Sequence, residues 1–175
     1  AHPEVTVNLS TRLSPFDFRS QAFDAAIHFG RRDWPGVDYL PLMPETVVPV
    51  TAPDLIGGSR ADPAALHDLP LLHLETRPRA WARWFAAQGL AAPDGMGMVF
   101  DQFSTMAQAA IHGLGVALLP TFVAATHLQS GALVAAAHGH EQSIGDYYLV
   151  WPADRPAPAS LLSFRTWLSQ QVSTG

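Results

Sequence analysis

The chain has 175 residues, 48% hydrophobic and 14% charged, enough to bury a core in one domain or in two small lobes. Its 10 basic residues are all arginines scattered along the chain and its formal net charge is −5, so this piece lacks the concentrated basic face that nucleic-acid phosphates require. It contains no cysteine, which excludes disulfides, cysteine nucleophiles and thiolate metal sites, and no apolar run approaches the roughly 20 residues of a membrane span.

In chain order, Val5 to Thr11 is β-branched and bounded by Pro3 and by Ser14-Pro15, which predicts a buried strand. Phe16 to Phe23 suits a short helical turn, and Ala25 to Phe29, stopped by Gly30, predicts a second strand. Tyr39 to Met43 and Thr46 to Thr51 read as an extended pair broken at Pro44. Ala52-Pro53-Asp54-Leu55 reads as a strand exit into a helical turn. Asp62-Pro63 supplies an N-cap and a first-turn proline for a short helix through Leu66. Leu71 to Leu74 predicts a strand.

Trp81, Trp84 and Phe85 recur at i, i+3, i+4 before Gly89, so Ala80 to Gln88 is an amphipathic helix. Met96 to Phe100 reads as a strand and Ser104 to His112 as a helix stopped by Gly113, with Ser104 as its N-cap. Val116 to Leu119 follows as a strand, and Pro120 opens another helix. Leu133 to Ala136 and Tyr147 to Trp151 are strands flanking a loop from Ala137 to Gly145. The last helix, Ala159 to Gln170, is expected to place Leu161, Leu162, Phe164, Trp167 and Leu168 on roughly one face. Strands alternating with helices, several apolar throughout, predict an α/β fold with largely parallel or mixed sheets. The long extended stretches Tyr39 to Thr51 and Ile144 to Trp151 could serve as paired crossovers between two lobes.

Three stretches together resemble the effector-binding domain of LysR-type transcription regulators. They are Phe23-Asp24-Ala25-Ala26-Ile27-His28-Phe29-Gly30 with Trp34-Pro35-Gly36, then Phe103-Ser104-Thr105-Met106 leading to Gly113-Leu114-Gly115-Val116-Ala117-Leu118-Leu119-Pro120, and then Tyr147-Tyr148-Leu149-Val150-Trp151-Pro152 with its closing helix. The Trp-Pro-Gly turn and Ala80-Trp81-Ala82-Arg83-Trp84 are similar to the GcvA-like and AmpR-like branch. The resemblance implies two Rossmann-like lobes similar to type II periplasmic binding proteins, the first from residues 1–46 and 147–175 and the second from 47–146, with an effector in the cleft between them. It also implies that the first strand and helix of the first lobe, and a winged helix-turn-helix that binds DNA, are missing ahead of Ala1. A cytoplasmic homodimer or dimer of dimers and a carboxylate-bearing, amino-acid-like or muropeptide-like effector follow from the same likeness. No cofactor is implied.

Ser104 and Thr105 precede free helical N–H groups and a positive dipole end, where a carboxylate could dock; the alternative reading, compatible with the first, makes Ser104 only an N-cap. Asp17 falls where the resemblance places a cleft-edge loop, and is otherwise a solvated turn carboxylate. Thr11 and Arg12 end the first predicted strand, at the kind of edge where open α/β folds bind ligands; Arg12 could pair with a carboxylate or simply be a surface arginine. Of Tyr147 and Tyr148, alternation turns one to the cleft and one to the core, and the family position favours Tyr147. His28 stands where relatives often carry arginine and reads as a core or cleft-lining residue. His138-Gly139-His140-Glu141 invites a metal reading, which one glycine-bearing loop without further ligands does not support. No nucleophile elbow, phosphate-binding loop, His-Glu-x-x-His helix or dinucleotide fingerprint is present, so catalysis is not expected. The rival function is an exported solute-binding protein of a transport system with the same two-lobe fold.

Overall fold

A computed structural model describes residues 6–12, 14–58, 60–95, 97–138 and 142–172, with the backbone alone for 142–144. Among the described residues, seven strands and four α-helices follow in the order β1 (Ala26–Gly30), β2 (Val37–Thr51), β3 (Leu71–Leu74), α1 (Ala80–Ala87), β4 (Val99–Phe100), α2 (Phe103–Ile111), β5 (Val116–Pro120), α3 (Thr121–Ser130), β6 (Val134–Ala135), β7 (Gln142–Pro152) and α4 (Ala159–Val172). Short 3-10 turns occupy Pro53–Ile56 and Pro63–Asp68. The second starts as its sequence requires, with the Asp62 carboxylate accepting the Ala64 N–H at 2.9 Å. The chain forms two compact units, Ala1–Pro44 with Gly145–Gly175, and Glu45–Ile144.

In the first unit β1, β7 and β2 lie side by side in that order. β1 and β7 are antiparallel, with His28 opposite Tyr148 and Phe29 opposite Tyr147. Pleating divides their side chains between two faces. On one, Leu149 and Trp151 pack with Leu40, Leu42 and the α4 residues Leu161, Phe164 and Leu168. On the other, His28 and Tyr148 belong to an aromatic layer with Tyr39, Trp34, Phe16 and Phe18, ring centres 4.8 to 6.5 Å apart. Phe18 is the buried member of that layer.

The second unit carries a mixed sheet. β2 pairs antiparallel with β5 and β6, and β3 pairs parallel with β4 and β5. Helix α2 covers one side, burying Met106, Ala107, Ala109 and Ala110 against Val50, Leu72, Ala117 and Leu119. Trp81, Trp84 and Phe85 of α1 are buried as their spacing predicts, and the Trp81 indole donates to the Leu72 carbonyl at 2.8 Å. The Gly-Leu-Gly turn before β5 has a steric cause. A Cβ on Gly115 would lie 2.4 Å from the Pro70 carbonyl oxygen, so only glycine lets the turn approach β3 this closely.

Four expectations need correction. Residues 6–12 are not a strand: none of them pairs, and Val7 and Leu9 are 62% and 91% exposed. β-branched side chains favour extended backbone, but a strand needs a ladder partner, and no strand lies beside this segment among the described residues. Pro44 does not break the second extended stretch: β2 runs through Pro41, Pro44 and Pro49, because proline removes a donor without leaving the extended region. β4 is two residues long, and Met96 lies outside the described residues. On α4, Leu162 and Trp167 are 49% and 51% exposed, since a 3.6-residue period turns them away from Leu161, Phe164 and Leu168.

Candidate functional site

Helix α2 begins one residue earlier than its sequence suggests. Gln102, in extended conformation, is the N-cap, and Ser104 sits inside the first turn. The cause is Phe103, which packs on the core beside α2 and already has helical backbone. The Ser104 hydroxyl turns back to Gln102 Oε1 at 3.4 Å, and the Thr105 hydroxyl donates to the Gln102 carbonyl at 2.9 Å. No side chain caps the first-turn amides, and Ser104 and Thr105 are both exposed. The result is a helix terminus whose N–H groups and partial positive charge face outward beside two hydroxyls, an arrangement that can receive a carboxylate.

Within the first unit, Tyr147 and Tyr148 point to opposite faces of β7. Tyr147 lies on the face of Leu149 and Trp151, edge-on to Phe29 at 5.2 Å. Tyr148 is boxed between His28 at 6.5 Å and Tyr39 at 5.5 Å. Gly145 lies close beneath the Phe29 ring, where a Cβ would approach ring carbons to 2.5 Å. His28 is half-buried, its Nε2 bonded to the Arg31 carbonyl at 3.0 Å.

Asp17 is engaged by Arg19 through both carboxylate oxygens, at 3.2 Å each, and accepts the Arg19 backbone N–H at 2.9 Å. The guanidinium and the backbone N–H hold the Asp17 carboxyl below its ordinary pKa. Its chemistry is that of an ionised turn acceptor with one local partner. Thr11 and Arg12 lie in the exposed, unpaired segment. Arg12 Nη1 donates to the Thr11 carbonyl at 3.1 Å, and its guanidinium lies 5.5 Å from the Phe23 ring centre. Of His138-Gly139-His140-Glu141, only His138 is among the described residues, where no cluster of metal-ligating side chains occurs.

Sequence reasoning passed over one buried polar pair. Glu45 and Arg77, both in the second unit, meet at 3.0 Å with Glu45 fully buried. A glutamate following Pro44 and an arginine preceding Pro78 carry no periodic signal; the only hint was a carboxylate inside an otherwise apolar extended run.

Residues 1–173 match the family described as the LysR substrate binding domain. The chain belongs to that family. This LysR domain is 36% identical over 171 residues to the HTH-type transcriptional activator AmpR of Rhodobacter capsulatus, covering 98% of this chain and 58% of that protein. It is also 30% identical to the glycine cleavage system transcriptional activator of Escherichia coli, over 96% of this chain and 56% of the relative. Its fold superposes on the crystallised effector domain of AmpR from Pseudomonas aeruginosa with a TM-score of 0.87 at 32% identity, covering 99% of this chain and 83% of that one. The mixed α/β architecture is therefore that of LysR effector domains, and the family and its relatives favour the effector-binding domain of a regulator over a transport-associated binding protein. No helix among the described residues is long and apolar enough to cross a membrane.

Proposed function

We propose that this LysR domain binds a small carboxylate-bearing effector, amino-acid-like or muropeptide-like, and alters the DNA binding of a helix-turn-helix segment outside this chain. The two lobes are residues 1–46 with 147–175, and 47–146. Ser104 and Thr105 supply the hydroxyls and amides of the α2 terminus, and Tyr147 supplies a phenol. Asp17, Thr11 and Arg12 are further contacts from the first unit, Asp17 through its ionised carboxylate and Arg12 by pairing with an acidic group on the effector. The domain acts by binding and not by catalysis, in the cytoplasm, within a homodimer or dimer of dimers. Differential affinity for two arrangements of the regulator is what lets the effector shift them.

The observation that carries this reading is the uncapped, hydroxyl-lined start of α2. A spacing supports it. A solved structure of the Citrobacter freundii effector binding domain carries three substitutions together, threonine to valine, serine to alanine and tyrosine to phenylalanine, and its serine and tyrosine are 43 positions apart, as Ser104 and Tyr147 are here. That domain superposes on this chain with a TM-score of 0.85 at 27% identity.

The test is a thermal-shift screen against amino acids, small carboxylates and muropeptide fragments, repeated with Ser104→Ala and Tyr147→Phe. A hit whose shift shrinks in both variants supports the assignment. A hit that both variants retain in full removes these residues from the site.

A further inference from the structure

Glu45 and Arg77 form an ion pair inside the second unit. Glu45 is fully buried and the Arg77 side chain is 13% exposed. Arg77 Nε donates to one carboxylate oxygen at 3.0 Å and Nη2 to the other at 3.2 Å, the two-pronged match of guanidinium to carboxylate. Nη1 donates to the Thr76 carbonyl and hydroxyl oxygens at 3.2 and 3.1 Å, so the group is held from both ends. Its guanidinium carbon lies 5.9 Å from the centre of the Phe103 ring. Phe103 is the first residue of α2 and the neighbour of Ser104.

Two further facts narrow what the pair does. Arg77 and Phe103, with Leu72, Trp81 and Met106, border a gap of only about 10 Å³, so the guanidinium and the ring sit in one closely packed patch. A buried ion pair is also a weak source of stability, because desolvation offsets most of its attraction and apolar replacements of similar volume often hold a fold as well. What an apolar pair cannot supply is a fixed, hydrogen-bonded plate beside that ring.

The geometry points to Arg77 as a positioning residue for the effector turn. Anchored by Glu45 where β2 enters the second unit, it fixes the Phe103 ring, and through it the first-turn amides and hydroxyls of Ser104 and Thr105. This rests on the reading of Ser104 and Thr105 as effector contacts. The affinity of that turn is thereby set from beneath, by residues that never touch the effector.

The experiment compares the full-length wild-type protein with Arg77→Lys and with the double variant Glu45→Leu/Arg77→Met, which removes both buried charges. Thermal unfolding, hydrogen exchange of the peptide spanning 101–107, and affinity for muramyl dipeptide are measured on each. The double variant is expected to melt near the wild type, yet to exchange faster in the first turn of α2 and to bind the probe about tenfold more weakly. Exchange in β5 stays unchanged. Arg77→Lys, which keeps the charge but loses the planar fork, shifts in the same direction by less. If the double variant fails to fold, Arg77→Lys decides.

Wild-type exchange and affinity in the folded variants overturn the inference. Ser104→Ala separates it from the reading beneath it. Affinity lost in Ser104→Ala but kept in the Arg77 variants overturns the positioning role alone, whereas affinity kept in Ser104→Ala overturns the effector reading. The exchange measurement needs no ligand. It settles the positioning role even where muramyl dipeptide does not bind the wild type, unchanged exchange again overturning it.

Discussion

Replacing Gly115 by alanine should be among the most damaging single changes in the second unit, and Gly113→Ala, two residues away, a mild one. At Gly115 the new Cβ would lie 2.4 Å from the Pro70 carbonyl oxygen and 3.0 Å from Leu72 Cδ2. Relief requires β3 and the turn to part by about 1 Å to restore an ordinary contact. That movement strains two hydrogen bonds: Val116 N–H to the same Pro70 carbonyl at 2.8 Å, and the buried Thr51 hydroxyl to the Gly115 carbonyl at 3.0 Å. Overpacking of this kind costs about 1–3 kcal/mol, and each of the two weakened bonds up to about 1 kcal/mol more, reaching roughly 5 kcal/mol in all. Gly113, at φ +74° with open space around its Cβ position, incurs only the left-handed backbone penalty of about 1–2 kcal/mol. Urea denaturation followed by circular dichroism measures both. In Tm a Gly115 loss at the top of that range corresponds to roughly 10–20 °C. Equal losses at the two positions would refute the close-approach argument.

On α4, Leu161→Ala should cost about 2–4 kcal/mol while Leu162→Ser stays within about 0.5 kcal/mol, and the reverse order in chemical denaturation would mean that the buried face is misassigned. The Arg165 guanidinium lies 3.6 Å from the Trp151 ring centre, so Arg165→Met should lower stability by about 1 kcal/mol and alter tryptophan emission; unchanged emission would argue against the stacking. Burial pushes the His73 imidazole below its usual pKa, so the folded state favours the neutral ring. The associated stability is complete above the unfolded value of about 6.5 and lost as pH falls through the lower folded value. Between pH 7.5 and pH 5 the wild type should therefore lose more stability than His73→Asn, and parallel losses would sink the assignment.

Much of the fold was legible because its signals are local. Trp81, Trp84 and Phe85 announce α1 by spacing alone, and Asp62-Pro63 announces a helical start. What misled was whatever depends on a partner far along the chain. Val5 to Thr11 has strand composition, but strand formation is decided by a neighbour, which local propensity does not report. Pro44 looked like a break because proline is usually one, yet β2 continues straight through it. At the candidate site the helix, its hydroxyls and the alternation of the two tyrosines could all be read ahead. The two-residue offset that moves the cap from Ser104 to Gln102 could not, since it follows from how Phe103 packs. The Glu45–Arg77 pair was invisible for a related reason: two isolated charges 32 positions apart carry no pattern until the fold brings them together.

The discontinuity of the first unit has a consequence for how the protein is made. β1 is complete once Gly30 leaves the ribosome, but its ladder partner, Asp146 to Val150, is translated more than a hundred residues later. At about 5–20 residues per second that interval is roughly 6–25 s, long enough for the contiguous second unit to fold first. During it the half-apolar segment Ala26–Gly30 and the aromatic residues around Trp34 wait without their sheet. A nascent chain built this way depends on shielding of this segment until β7 emerges, and its expression should respond to chaperone supply more than its final stability suggests.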